Sequence, residues 1–207
     1  RIHDAPDPER IEVLAEFLKA LGYELKAEGE EITAKEITAL FKKVEGTPEE
    51  DLIKTATIRS MAKAIYSTEN IGHFGLAFTH YTHFTSPIRR YPDVMVHRIL
   101  KSHEVGMKLS ERELKDYERM VVQSTEREIA AAEAERDSIK YKQVEYLSQF
   151  VGKEFDGVVS GVADWGVYVE EPETKAEGLV RMRDLGNDFF VLDKSRYRVV
   201  GERTKKV

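Results

Sequence analysis

The chain has 207 residues, 41% of them hydrophobic, with 32 Lys and Arg against 38 Asp and Glu for a formal charge of -6. That is enough apolar material for a packed core, so disorder is excluded, and the length suits one medium domain or one domain with a small module. The absence of cysteine rules out a disulfide framework and thiolate metal sites and fits a reducing cytosol.

No apolar run approaches the roughly 18 residues needed to cross a bilayer, and no secretory leader is recognised at the start. A cytoplasmic location with no membrane partner is therefore expected. The chain opens Arg1-Ile2-His3 and closes Lys205-Lys206-Val207, which reads as an excised piece of something longer.

The first 66 residues are expected to form three helices. Asp7-Pro8 offers a capping side chain with proline in the first turn, and Ile11, Leu14, Leu18 and Leu21 form one stripe before Gly22. Thr33 to Glu36 reads as a capping box ahead of Ile37, Leu40, Phe41 and Val44, closed by Gly46. Thr47-Pro48-Glu49-Glu50 repeats the device ahead of Leu52, Ile53, Met61 and Ile65. These stripes are core and carry no chemistry.

Residues 73 to 84 break the helical period, and their glycine, aromatics and threonines suit an extended segment running through an interior. A helix then starts at Ser86-Pro87 or at Tyr91-Pro92. If it starts at Pro87, Pro92 forces a kink or a first turn that is not α. Ser110 to Glu113 is another capping box, opening a helical run of about 40 residues to Phe150 that reads as one or two long packing helices rather than a coiled coil. At Gly152 the grammar changes to short, glycine-punctuated β segments, FDGVVSGV, WGVYVE and GLVRM, which suit a small barrel or sandwich. The domain boundary is placed near 150, and the fold class is α+β.

Charge is unevenly spread. From Ile71 to His103 there are four bases (Arg89, Arg90, Arg98, Lys101) and one acid, Asp93. The window is therefore +3 and the remainder -9. Five of the six histidines fall in it as well. In its centre stands YTHFTSPIRRY, Tyr81 to Tyr91. A serine beside a proline at a helix entry leaves backbone N–H groups outward, where the dipole favours anions. Arg89 and Arg90 add two planar donor forks suited to phosphate. Neighbours on a helix diverge by about 100°, so one should face a ligand and the other an acid or a second phosphate. An ordinary helix start whose arginines pair with surface carboxylates fits the same pattern, and the residues alone leave both readings open.

Other chemistry is weaker. His73, His80, His83 and His97 lack the ligand spacing of a metal site. Ser86 lacks the glycine elbow of a serine nucleophile. A general base among the histidines is open, although buried or phosphate-facing donors suit them better. The acids lie mixed with bases on helices and form no paired-carboxylate cluster.

The run HFGLAFTHYTHFTSPIRRYPDVMVHRIL, His73 to Leu100, resembles the signature of the RNase II/RNase R family of processive 3′-to-5′ exoribonucleases. Its HFGL, HFTSPIRRYPD and VHR segments favour the RNase R branch, which RIHDAPDPE at the start and AEAERD at Ala132 to Asp137 also resemble. The resemblance implies that residues 1–150 are the mostly helical C-terminal part of the catalytic domain. It implies further that the intact enzyme hydrolyses single-stranded RNA to 5′-mononucleotides with Mg2+. Arg89 would reach the scissile phosphate, with Arg90, Thr85, Ser86 and His83 in support or on neighbouring phosphates. The metal-binding aspartates of the family belong to an acidic motif this sequence does not contain, so the piece alone is expected to be inactive. Upstream catalytic and cold-shock-type domains of one full-length chain are its implied partners. The alternative is a non-catalytic RNA-binding or scaffolding module.

Residues 151–207 resemble the OB-fold RNA-binding domain of the S-one type, truncated so that its last strands lie past Val207. Trp165 and Tyr168 take the places of its exposed aromatics and Arg181 that of a common histidine. Trp165 and Tyr168 are three residues apart, so a twist or bulge at Gly166 is needed to bring both to one face. Core roles for both aromatics remain the competing reading. A barrel short of strands exposes edges, so a poorly ordered or partner-covered C-terminus is expected.

Overall fold

The computed structural model describes residues 1–25, 32–193 and 198–205. The chain divides into two compact units, residues 1–12 with 26–133 and residues 13–25 with 134–207. The mixture of helices with small antiparallel sheets is α+β, as expected.

Helix α1 spans Pro8–Ala20 and buries Leu14, Phe17 and Leu18. Asp7 Oδ1 accepts from the Glu9 N–H at 2.9 Å, so the predicted cap is formed. The helix closes where Gly22 takes φ +83° and the Tyr23 N–H reaches the Leu18 carbonyl at 2.9 Å. Helix α2, Ala34–Val44, has the full capping box between Thr33 and Glu36. Helix α3 spans Glu50–Ser60. Leu40 and Val44 of α2 and Ile53 of α3 are buried, each worth about 1.5–3 kcal/mol of transfer free energy.

Three local expectations are corrected in the first unit. Thr47 forms no capping box, because its hydroxyl turns back to the Val44 carbonyl and Glu50 accepts from the Gly46 N–H instead. α3 ends at Ser60, so Met61 and Ile65 lie beyond it, and Ile65 pairs with Ile2 through two backbone bonds of 2.9 Å. Residues 73–84 are neither a strand nor buried. They hold a 3₁₀ turn at Phe74–Leu76 and single bridges from His73 to His3 and Phe78, and most are exposed. Their hydrogen bonds go to scattered loop partners, which a strand propensity does not anticipate.

Helix α4 spans Tyr91–Glu104, with Pro92 inside its first turn, where a missing N–H leaves no bond unmade. Of the two predicted starts, the structure takes Tyr91-Pro92. Helix α5 is a single helix, Glu111–Leu147, entered through the Ser110–Glu113 box and followed by a 3₁₀ turn at Ser148–Phe150. None of its residues is buried.

The β module has two sheets. β1 (Val158–Ala163), β2 (Gly166–Glu170) and β3 (Glu177–Arg181) form an antiparallel sheet in chain order. β4 (Phe190–Asp193) and β5 (Arg198–Gly201) form a separate hairpin. Among the described residues no ladder joins the two sheets, so the strands do not close a barrel. Asp188 fastens the end of the hairpin, accepting from the backbone N–H groups of Phe189, Arg203 and Thr204 and from the Thr204 hydroxyl. These bonds hold its carboxyl far below the usual range. The expectation of a poorly ordered end falls in part on residues 206 and 207, which lie outside the described residues.

Candidate functional site

The arginine stretch is a turn that precedes a helix. Pro87, Ile88 and Arg89 form its tip, closed by the N–H groups of Arg89 and Arg90 donating to the Ser86 carbonyl at 3.2 and 3.0 Å. Arg90 is the N-cap of α4 in extended conformation. The premise that both arginines occupy the first helical turn is thereby corrected. Proline at 92 fits near the start of α4, and residues 86–90 fold as a separate turn. The tip is open to solvent, with Ile88 99% exposed.

The two arginines differ sharply. The Arg90 guanidinium turns inward, donating from Nη2 to Asp93 Oδ2 at 2.9 Å, and its side chain is 21% exposed. Arg89 is exposed and carries one side-chain bond, a 3.3 Å contact from Nη2 to Ser86 Oγ. Among the described residues Arg89 has no acid partner within 4.0 Å. Of the expected division, in which one arginine faces a ligand and the other an acid or a second phosphate, the pairing with an acid is seen at Arg90.

Asp93, conspicuous in the sequence only as the sole acid of the basic window, is the anchor. It is 0% exposed, and Oδ2 accepts from both the Ser86 N–H at 2.7 Å and Arg90. Burial pushes its carboxyl up. The Ser86 N–H and the Arg90 guanidinium outweigh that, and the result lies below the ordinary carboxylate range. Asp93 Oδ1 and Arg90 Nε are both buried without a partner among the described residues.

Behind the turn lies an aromatic layer. The Arg1 guanidinium stands 4.5 Å from the centroid of the Tyr66 ring and pairs with Glu128 of α5 at 2.5 Å. The Tyr66 hydroxyl and His83 Nδ1 are 2.9 Å apart, and the Tyr66 N–H donates to the Thr125 hydroxyl at 3.0 Å. Burial first, then Arg90 and Arg1, lower the pKa of His83, while burial raises that of Tyr66. A neutral imidazole and a protonated phenol therefore share that bond at pH 7. His83 is half-buried in this layer, with Tyr81 edge-on to it, while Thr85 is exposed and makes no side-chain hydrogen bond among the described residues. The His97 ring stacks on Phe84 at 4.1 Å, and its Nε2 lies 2.9 Å from the Phe84 carbonyl. No group of three His, Asp or Glu side chains suited to a metal occurs among the described residues.

In the β module, Trp165 lies in the turn between β1 and β2, not on a strand. Its Nε1–H donates to the Tyr168 hydroxyl at 3.1 Å. Trp165 is 60% exposed, which removes it from the core. Because the indole projects from a turn, strand alternation does not apply to it, and no bulge at Gly166 is required. The irregularity lies instead in β1 between Val159 and Gly161, opposite Tyr168. Gly166 matters for a different reason: a Cβ there would stand 2.4 Å from the Val180 carbonyl. Gly166 pairs with Arg181 and Tyr168 with Leu179, so Tyr168, Leu179 and Arg181 share one sheet face beside Trp165. Arg181 is exposed and ion-paired to Asp184 at 2.8 Å. The three residues predicted for this module are thus brought together.

The chain is similar to known proteins in sequence and in structure. The RNB domain family matches residues 1–105. Ribonuclease R of Aquifex aeolicus is 44% identical over 208 residues, covering 100% of this chain and 29% of that protein. Ribonuclease R of Escherichia coli strain K12 is 35% identical over 212 residues, covering 98% and 26%. The structure of Mycoplasma genitalium RNase R in complex with ribose-methylated single-stranded RNA matches with a TM-score of 0.89 at 29% identity, over 100% of this chain and 33% of that one. The chain spans about a quarter to a third of the length of these relatives.

Proposed function

The chain belongs to the RNB domain family, and on that premise we propose that it is part of a cytoplasmic 3′-to-5′ exoribonuclease that hydrolyses single-stranded RNA to 5′-mononucleotides. The observation that carries this reading is Arg89: a guanidinium at an exposed turn, in a locally basic window, with no acid partner among the described residues. Such a group is free to meet a phosphate. Held at the scissile phosphate, it neutralises charge as the pentavalent transition state develops. The RNA in the solved complex of the Mycoplasma relative supports the substrate class.

Arg90 serves as the inner support of that turn. Ser86 lends Arg89 its hydroxyl and Asp93 its N–H, and His83 backs the turn from the aromatic layer. Thr85, exposed beside them, is suited to a neighbouring phosphate. In the β module, Trp165 and Tyr168 offer stacking surfaces worth roughly 1–3 kcal/mol per base, and Arg181 offers charge on the same face. Upstream catalytic and cold-shock-type domains of a longer chain complete the enzyme.

Magnesium is the cofactor the family resemblance implies. The described residues do not fit it: they hold no three-donor cluster, and Asp93 Oδ2 is committed to Ser86 and Arg90. On this reading the metal's ligands belong to another part of the enzyme, and the chain by itself is expected not to turn over.

The test is Arg89→Ala in a protein that includes the family's upstream acidic motif. The enzyme reading predicts a large fall in turnover with a modest loss of RNA affinity. Salt-sensitive binding with no turnover in the unsubstituted protein would point instead to the scaffolding module.

A further inference from the structure

We infer that Asp93 is the positioning residue of the arginine turn, assigning Arg90 to the interior and leaving Arg89 for the RNA phosphate. The inference rests on the reading of Arg89 given above. Two adjacent arginines share a sequence window with one acid, and only one of them pairs with it.

The backbone decides between them. Asp93 Oδ2 accepts the Ser86 N–H at 2.7 Å, which ties the first residue of the turn to the first turn of α4. The same oxygen accepts Arg90 Nη2 at 2.9 Å. One carboxylate therefore closes both ends of the segment from Ser86 to Arg90. Arg90 lies three residues before Asp93, within reach of its carboxylate, whereas Arg89 sits at the exposed tip. Arg89 instead touches the hydroxyl of Ser86, the residue whose N–H Asp93 holds. Asp93 thus acts on Arg89 through Ser86 and touches no substrate itself.

A carboxylate with no solvent contact is destabilising unless its partners are fixed. Such a penalty is consistent with a device that orients a neighbour. Misplacing a reacting group by about 1 Å can cost on the order of 10²-fold in rate.

The experiment compares Asp93→Asn and the double variant Arg90→Gln/Asp93→Asn with the unsubstituted full-length protein. Three quantities are read: kcat and KM on single-stranded RNA, melting temperature, and hydrogen exchange of the peptide spanning Ser86 to Arg90. Asp93→Asn is expected to lower kcat by about 10²-fold with KM little changed, and to speed exchange in the turn. The double variant removes the orphaned guanidinium, so it should regain melting temperature without regaining kcat. If kcat returns along with stability, Asp93 merely neutralises Arg90 and the inference fails. Unchanged exchange in Asp93→Asn overturns it as well. Should the unsubstituted protein degrade no RNA, the reading of the function falls, while the exchange measurement still decides whether Asp93 holds the turn.

Discussion

Substituting the two arginines one at a time should produce opposite results for stability and for function. Arg90→Ala leaves the Asp93 carboxylate, 0% exposed, held by the Ser86 N–H. Breaking a buried pair by removing one member costs about 3–5 kcal/mol. The turn over Asp93 is exposed at Pro87, Ile88 and Arg89, and Arg90 itself is 21% exposed. Local solvent access lowers the cost, and about 2–3 kcal/mol is the expected loss. Arg89→Ala removes one exposed 3.3 Å bond and should change stability by no more than about 0.5 kcal/mol. Urea unfolding followed by far-UV circular dichroism measures both. Fluorescence of Trp165, the sole tryptophan, serves as a second signal from the β module. Equal destabilisation by the two substitutions, or a larger effect at Arg89, would refute the division of labour between them.

Trp165→Ala should weaken binding of a single-stranded RNA by about 1–3 kcal/mol, roughly 5- to 150-fold, with little loss of stability because the indole is exposed; a fluorescence-anisotropy titration with labelled oligonucleotide reads it. Gly166→Ala should cost about 1–3 kcal/mol or unfold the three-stranded sheet, since its Cβ would meet the Val180 carbonyl, and strand content by circular dichroism reports the outcome. Ile53→Ala, at a buried core position, should destabilise by about 2–5 kcal/mol in the same urea assay. The pKa of His83 is lowered in the fold, with Tyr66, Tyr81, Arg90, Arg1, Asp93 and Glu128 around it. The unfolded chain therefore takes up the proton first, so this contribution is present above the ordinary histidine value of about 6.5 and is lost as pH falls below it. The pKa of His73 is lowered too and has the same sign. Melting temperature should rise from about pH 5.5 to about pH 7.5, and a flat or falling profile would contradict the assignment.

Much of the architecture was legible because it is local. A capping box needs only the two side chains of one turn, so Thr33–Glu36 and Ser110–Glu113 were readable from spacing. The Thr47 box failed because a glycine N–H at 46 competed for Glu50. The segment 73–84 failed because its partners, His3 among them, are far away in sequence. At the site, the basic window and its two arginines were visible as composition. Their unequal roles were not, although the sole acid in that window was a signal that could have been followed.

Sequence alone therefore determined the family signature, the succession of helices before strands, and the concentration of positive charge around Arg89. Tertiary structure alone decided that Asp93 is buried, that Arg90 is consumed by it, and that Trp165 in the turn meets Tyr168 on the strand that follows. Helix periods and caps arise within a few residues, whereas burial and pairing depend on which distant groups exclude water from a given side chain.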